Sequence, residues 1–241
     1  GLLGTPAVAA AGGGVGSLVA NAADVIAFER PNPVPPLTPP APFSADITLT
    51  MSIQDAAENG VLGNGIIDTA MPAEFSSILF DSGNDIRFGR LILSNAHGSE
   101  LLDLPVPIET QYWNGSGFAR NTADFCTQFA AANVALWGWK RDLKGCETSV
   151  ELSGRFSGGR GKLKLSKPGE DNTGSVDLTI QLGATANGST CAGGATPAVA
   201  ASKSWLQGRW TGGDYDQNPA ARASFGLYRG SKSLIYLREI H

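Results

Sequence analysis

Three cysteines (Cys126, Cys146, Cys191) and two histidines (His97, His241) are the side chains of this 241-residue chain best suited to covalent or metal chemistry. Their spacing supports little of it. No CxxC pair and no CxxCH haem motif occurs, and the clustered Cys or His ligands that zinc wants are absent from the sequence. A serine hydrolase needs a histidine beside its nucleophile, and there is no GxSxG elbow. His97 lies in the stretch NAHGSE, where an exposed turn residue is the better expectation than a general base. The GGRG at Gly158–Gly161 separates two alternating segments and reads as a β-turn, not a phosphate cradle. A glycosidase needs only two carboxylates, which Glu100 with Asp103, or Asp214 with Asp216, would supply. All four sit at turns or strand ends, where acidic residues are ordinarily solvated, so the expectation is no catalytic residue and no enzyme.

The remaining chemistry is that of a disulfide, a cation or a flat ligand. Cys126 and Cys146 flank a compact stretch, and a bridge between them would close a loop of about 20 residues, worth about 3 kcal/mol. The odd count then leaves Cys191 over. Asp214, Asp216 and Asn218 alternate in DYDQNP like half of a calcium loop. Calcium takes about 6–8 oxygens and the closing acidic ligand is missing, so an Asx-type turn before Pro219 is favoured and no cofactor is required. Five tryptophans could act as a sugar platform or fill a core. Core is the expectation for most of them, with Trp137 and Trp139, two apart, as the pair to suspect of exposure.

These residues have to be positioned by short strands. Glycine (31 residues) and proline (14) are abundant, and the charged fraction of 17% is below the roughly 25% of ordinary soluble domains. Ile47, Leu49, Met51 and Ile53 alternate with polar residues, as half-buried strand residues do. Strands are likewise expected in SSILF, DIRFGRLILSN, ELLDLPVPIETQYW, SVELSGRFS, GKLKLSK, SVDLTIQL, SWLQGRW, ARASFGLYR and KSLIYLREIH. The GKLKLSK segment would point Leu163 and Leu165 inward and Lys162 and Lys164 outward. Pro105 and Pro107 suit an edge or a bulge, and Asn114-Gly115 signals a hairpin. Helix is allowed only in DFCTQFAAANVALWGW, where Phe125, Phe129, Ala132 and Leu136 recur at helical spacing behind Thr122 or Asp124 as cap. Residues 1–43 read as an Ala/Gly/Pro-rich extended arm or linker, with Val25, Ile26 and Phe28 as its anchor. Residues 44–241 read as an antiparallel β-sandwich region, immunoglobulin-like or jelly-roll-like. The net charge of −4 and the lack of a basic stripe give nucleic-acid binding little support. No run of about 18 apolar residues encodes a membrane-spanning helix.

Three segments, FGRLILSNAHGSELLDLPVPIETQYWNGSGF, FSGGRGKLKLSKPGEDNTGSVDLTI and NPAARASFGLYRGSKSLIYLREIH, occur in an order that resembles the C-terminal domain of MshQ-like proteins of MSHA-type (type IV) pilus systems. The resemblance runs with gaps from about Phe88 to His241. It suggests residues 85–241 as that domain and residues 44–84 as closing strands of a preceding immunoglobulin-like unit. It also implies a cysteine where Thr211 stands in GRWTGG, which would leave Cys191 without its partner. What it implies functionally is a non-enzymatic, structural or adhesive component, exported through the periplasm to the cell surface. The partners would be pilus or minor-pilin-like proteins. Two alternatives are a self-assembling filament subunit that binds copies of itself through the N-terminal arm, and a module for surface glycans. The chain is expected to be part of a longer protein.

Overall fold

The computed structural model describes residues 2–3, 7–12, 15–19, 25–26, 38–44, 46–51, 73–79, 85–183, 188–191 and 196–226. Two compact units are present, Gly1–Asn32 and Pro33–His241. In the first, β1 (Leu2–Leu3), β2 (Ala7–Gly12), β3 (Val15–Val19) and β4 (Val25–Ile26) form two-stranded pairs, β2 with β3 and β1 with β4. The expected extended arm is thus corrected over these residues. Only two residues, both glycine, separate β2 from β3, which is hairpin chemistry. Val25 and Ile26 pair with Leu3 and Leu2, while Phe28 and residues 31–37 lie outside the described residues.

The second unit contains β5 (Asp46–Met51), β6 (Ala73–Leu79), β7 (Gly89–Leu93), β8 (Ala96–Gly98), β9 (Leu104–Val106), β10 (Ile108–Trp113), β11 (Phe118–Arg120), β12 (Val134–Arg141), β13 (Val150–Leu152), β14 (Leu163–Leu165), β15 (Gly174–Ile180) and β16 (Ala220–Phe225). They form sheets in the orders β11-β10-β7, β12-β15-β16-β8 and β13-β14-β9, with β5 and β6 as a separate pair. All pairs are antiparallel except β16 with β8. The architecture is all-β, of the sandwich type. The glycine turns of NGVLGNG and the C-terminal segment LIYLREIH lie outside the described residues. The end of the proline tract leans on this unit: Phe43 and Ile86 exchange backbone hydrogen bonds of 3.2 and 2.9 Å.

Period-two patterning builds one shared core. In the four-stranded sheet the rows Leu136–Leu178–Ala221 and Val176–Ala223–Ala96 run across neighbouring strands. In the β13-β14-β9 sheet the rows are Val150–Leu165–Leu104 and Leu152–Leu163–Val106. All of these, with Leu91, Leu93 and Ile108, belong to one buried cluster. Lys164 points outward as expected, between Asp103 at 2.8 Å and Glu151 at 3.0 Å. Pro105 lies on the edge strand β9, where its missing N–H costs no ladder bond. Pro107 falls between β9 and β10, where the chain passes from one sheet to another. The Asn-Gly hairpin joins β10 to β11, with Asn114 Oδ1 accepting from Ser116 N and Gly117 N and with Gly115 at φ 104°.

Two elements differ from expectation. The segment from Asp124 to Trp139 forms a 3-10 turn at Ala131–Asn133 followed by β12, not a helix. Asp124 does cap a turn, since its Oδ1 accepts from Cys126 N and Thr127 N. The chain then leaves that turn to bridge Gln128 to Arg155. Val134, Ala135 and Leu136 are all buried because both faces of β12 are covered at that point, and pairing with β15 overrides the helical spacing. SWLQGRW is likewise no strand: it forms a 3-10 turn at Ser204–Leu206 and a single bridge from Gly208 to Gln217.

Candidate functional site

The outer face of the four-stranded sheet carries the residue the sequence singled out. Trp137 lies opposite Asp177 on β15, which lies opposite Arg222 on β16, so the three form a row across adjacent strands. Asp177 accepts two hydrogen bonds from the Arg222 guanidinium, 2.7 Å from Nε and 3.0 Å from Nη2. That contact raises the pKa of Arg222 and keeps its charge fixed. Trp137 is 46% exposed. Its Nε1 donates to Thr179 Oγ1 at 3.1 Å, which lays the indole over the sheet instead of leaving it to rotate. A pinned, half-exposed indole beside a fixed ion pair can stack on a flat, hydroxyl-bearing ligand.

Trp139 does not join it. Between Trp137 and Lys140 the register with β15 shifts, and Gly138 sits at φ 63° inside this bulge. A bulge inserts one residue and reverses the alternation, so Trp139 is half-buried and packs against the core. The other tryptophans overturn the expectation of core: Trp205 is 51% and Trp210 37% exposed, and Trp113 is half-buried. Trp205 stands beside Lys203, whose ammonium is 5.6 Å from its ring.

The disulfide is Cys146–Cys191, with Cα atoms 4.9 Å apart and a sequence separation of 45. The expected Cys126–Cys146 pair is not formed, and Cys126 is an exposed free thiol. Its backbone is tied to Asp124 by the turn described above. Cys191 therefore has a partner, and the cysteine expected at Thr211 is not needed. The turn bearing Cys146 follows β12, and the 188–191 segment lies along the edge of that same strand, which brings these two thiols together.

Of the calcium candidates, Asn218 is engaged by protein groups. Asn218 Oδ1 accepts from Leu182 N at 3.1 Å and from Gln207 Nε2 at 3.3 Å, and its amide donates to Gln181 Oε1 at 2.8 Å. These bonds tie the 207–218 segment to the residues that follow β15. No group of three or more His, Cys, Asp or Glu fit to hold a metal occurs among the described residues. Of the carboxylates considered for hydrolysis, Asp103 is engaged by Lys164 Nζ and by Lys167 N, contacts that hold its pKa below the ordinary value. His97 is exposed on β8.

A family profile described as DUF6701, fourth domain, matches residues 87–240, more than half of the chain. The chain belongs to the DUF6701 family. No curated protein and no solved structure matches it. In this DUF6701 domain the matched span contains every strand from β7 to β16, and hence the Trp137 row, the disulfide and the shared core. It also contains a cleft of about 520 Å³ beside the 131–133 turn, whose polar lining is Gln128, Asn133, Ser153 and Lys203. The cleft has no carboxylate, histidine or cysteine in its wall. Among the described residues of this DUF6701 chain, no helix is long and apolar enough to cross a membrane.

A second polar face of the DUF6701 domain escaped sequence reading. On the β11-β10-β7 sheet, Leu91, Leu93, Ile108 and Thr110 face the core, so Arg90, Ile92, Glu109, Gln111 and Trp113 face away from it. The alternation in GRLIL and IETQYW carried that signal. Strand pairing, which no local pattern reveals, is what sets Arg90 and Arg120 on either side of Gln111.

Proposed function

We propose that this DUF6701 chain is an exported, non-enzymatic structural or adhesive component of a type IV pilus-like surface system of the MSHA type. The observation that carries export is the Cys146–Cys191 disulfide, because such bonds persist in oxidising compartments and are rare in the cytosol. The pilus assignment draws on the similarity of residues 88–241 to MshQ-like proteins, and minor-pilin-like proteins are the partners it implies. The non-enzymatic assignment draws on the sequence, whose two histidines and three cysteines form none of the hydrolase or metal motifs considered above. The test is immunogold labelling of the native protein on intact cells and on sheared pili. Label at filament tips is the expected result. Label along whole filaments would make the chain a repeating subunit held by residues 1–43. Label confined to the cell interior would overturn both.

A second reading, as a glycan-binding surface module, is favoured by one observation, the half-exposed Trp137 ring pinned to Thr179. It is compatible with the first, since an adhesive component needs a surface to adhere with. The neutral face of a pyranose is the chemistry that this indole fits.

A further inference from the structure

The outer face of the β11-β10-β7 sheet concentrates guanidinium groups that lack carboxylate partners. Gln111 is in register with Arg90 on β7 and with Arg120 on β11, so the three side chains share one face. One step along, Glu109 faces Arg160, with Oε2 3.7 Å from Nε. One step the other way, Trp113 faces Phe118 with ring centroids 5.3 Å apart. Trp210, from the segment after Leu206, closes over this floor. The Arg90 guanidinium is 3.7 Å from the Phe118 ring centroid and 5.0 Å from that of Trp210. Its Nε and Nη2 both donate to Gln111 Oε1, at 3.0 and 2.8 Å. Arg90 is thus stacked and oriented, and burial holds its pKa below the ordinary value. Arg120 is the unsatisfied member: its Nε is fully buried and has no acceptor among the described residues. Of the three guanidinium groups only Arg160 has a carboxylate partner, Glu109, among the ion pairs of the described residues.

We propose that this face, between Arg90, Arg120 and Trp210, binds an acidic saccharide, a sugar ring that carries a carboxylate. With Arg90 Nε and Nη2 held by Gln111 and Arg120 Nε buried, the remaining N–H groups of the two guanidiniums are the donors that would meet a carboxylate in charge-assisted bonds. The exposed flank of Trp210 offers an aromatic surface to the C–H face of the same ring. The two features lie side by side, and a ligand that is both anionic and ring-shaped uses both at once. A nucleic acid fits the overall charge poorly, because the chain is net −4. The site is separate from Trp137 and does not depend on where the protein resides.

The test titrates the 241-residue chain with trigalacturonate, with a neutral galactose trisaccharide and with a short polyglutamate peptide, by calorimetry at low and physiological salt. Trigalacturonate is expected to bind at least about tenfold more tightly than the neutral sugar, as expected for charge-assisted bonds. Arg120→Gln or Trp210→Ala should each weaken binding by about tenfold. Arg160, on the rim and exposed, is the variant that spares the fold: Arg160→Gln should lower affinity about two- to threefold and reduce the salt dependence. Equal affinity for the neutral sugar would overturn the proposal. So would trigalacturonate binding that survives Arg120→Gln and Trp210→Ala in folded protein. If those two variants do not fold, an unchanged affinity and salt dependence in Arg160→Gln overturns it instead. Polyglutamate binding as tight as trigalacturonate, and indifferent to Trp210→Ala, would assign the face to an acidic peptide and refute the saccharide.

Discussion

Leu136 and Ser189 exchange both of their backbone hydrogen bonds, at 2.9 and 3.4 Å, so that a single loop residue caps the free edge of β12. An unpaired edge is a template for association with another chain, and covering it is one of the ways proteins manage that hazard. The approach demands small residues. Gly188, at φ 143°, lies so close that a Cβ there would stand 2.9 Å from the Ala135 Cβ and 3.2 Å from the Leu136 carbonyl oxygen. The Gly-, Ala- and Ser-rich composition around it is what lets the loop lie against the strand. The disulfide from Cys191 to Cys146 then fixes the loop two residues beyond the contact.

Breaking that staple should loosen the edge before the core. Closing a loop of 45 residues restricts the unfolded chain by about 4 kcal/mol on the loop-entropy scale. Cys191→Ser, or reduction in the native state, is therefore expected to lower stability by about 2–4 kcal/mol. Amide exchange at Leu136, whose N–H donates to Ser189, should accelerate, while exchange at Leu178 stays slow as long as the protein is folded. Cys126→Ser should leave the melting temperature unchanged. Thermal melts and hydrogen exchange with and without reductant check both. A melting temperature that falls for Cys126→Ser and not for Cys191→Ser would refute the pairing.

What could be read from the sequence was whatever is local and periodic. Leu163 and Leu165 alternate with lysines and do face the core, Pro105 does mark an edge, and Asn114-Gly115 does turn a hairpin. Features set by chain segments meeting in space were misread or unseen. Asp124 gives a true capping signal, yet the helix it suggested is replaced by a strand because β15 supplies a partner for residues 134–141. The cysteine pairing was judged by nearness in sequence, while the loop that carries Cys191 returns across β12 from 45 residues away. The spacing of Trp137 and Trp139 implied one face, and the bulge at Gly138 separates them.

Asp124 should give the protein an acid-sensitive joint. Asp124 is 6% exposed, and its carboxylate joins two neighbouring parts of the fold. Its Oδ2 accepts from Thr110 Oγ1 at 2.7 Å, and its Oδ1 accepts from Thr127 N and Cys126 N. Burial by itself raises its pKa, but these hydrogen bonds together outweigh burial and hold it below the ordinary value. A carboxyl whose folded pKa lies below its unfolded one stabilises the fold fully above the ordinary aspartate range, near about pH 3.9. That contribution disappears as pH falls through the depressed folded value. Asp124→Asn is expected to lose about 1–3 kcal/mol at pH 7, with the gap to the parent protein closing as pH drops below about 4. Denaturant titrations between neutral pH and the acid limb measure it, and a gap that is constant with pH would refute this role.

The bulge at Gly138 predicts that the two neighbouring tryptophans separate binding from folding. Trp137→Ala removes a half-exposed ring and should change stability by no more than about 0.5 kcal/mol, as is usual at the surface. Trp139→Ala removes a ring packed on the core and should cost about 1–3 kcal/mol. If the Trp137 row is the neutral-glycan platform, only the first substitution should abolish retention on neutral polysaccharide. Gly138→Ala probes the same geometry from the backbone. It places a Cβ at φ 63°, 2.9 Å from Asp177 Oδ2, and is expected to cost about 1–2 kcal/mol while disturbing the Asp177–Arg222 pair beside Trp137. Affinity electrophoresis on neutral polysaccharides, read with thermal melts of the three variants, decides the matter. Binding lost in Trp139→Ala but kept in Trp137→Ala would place the ligand on the other face of β12.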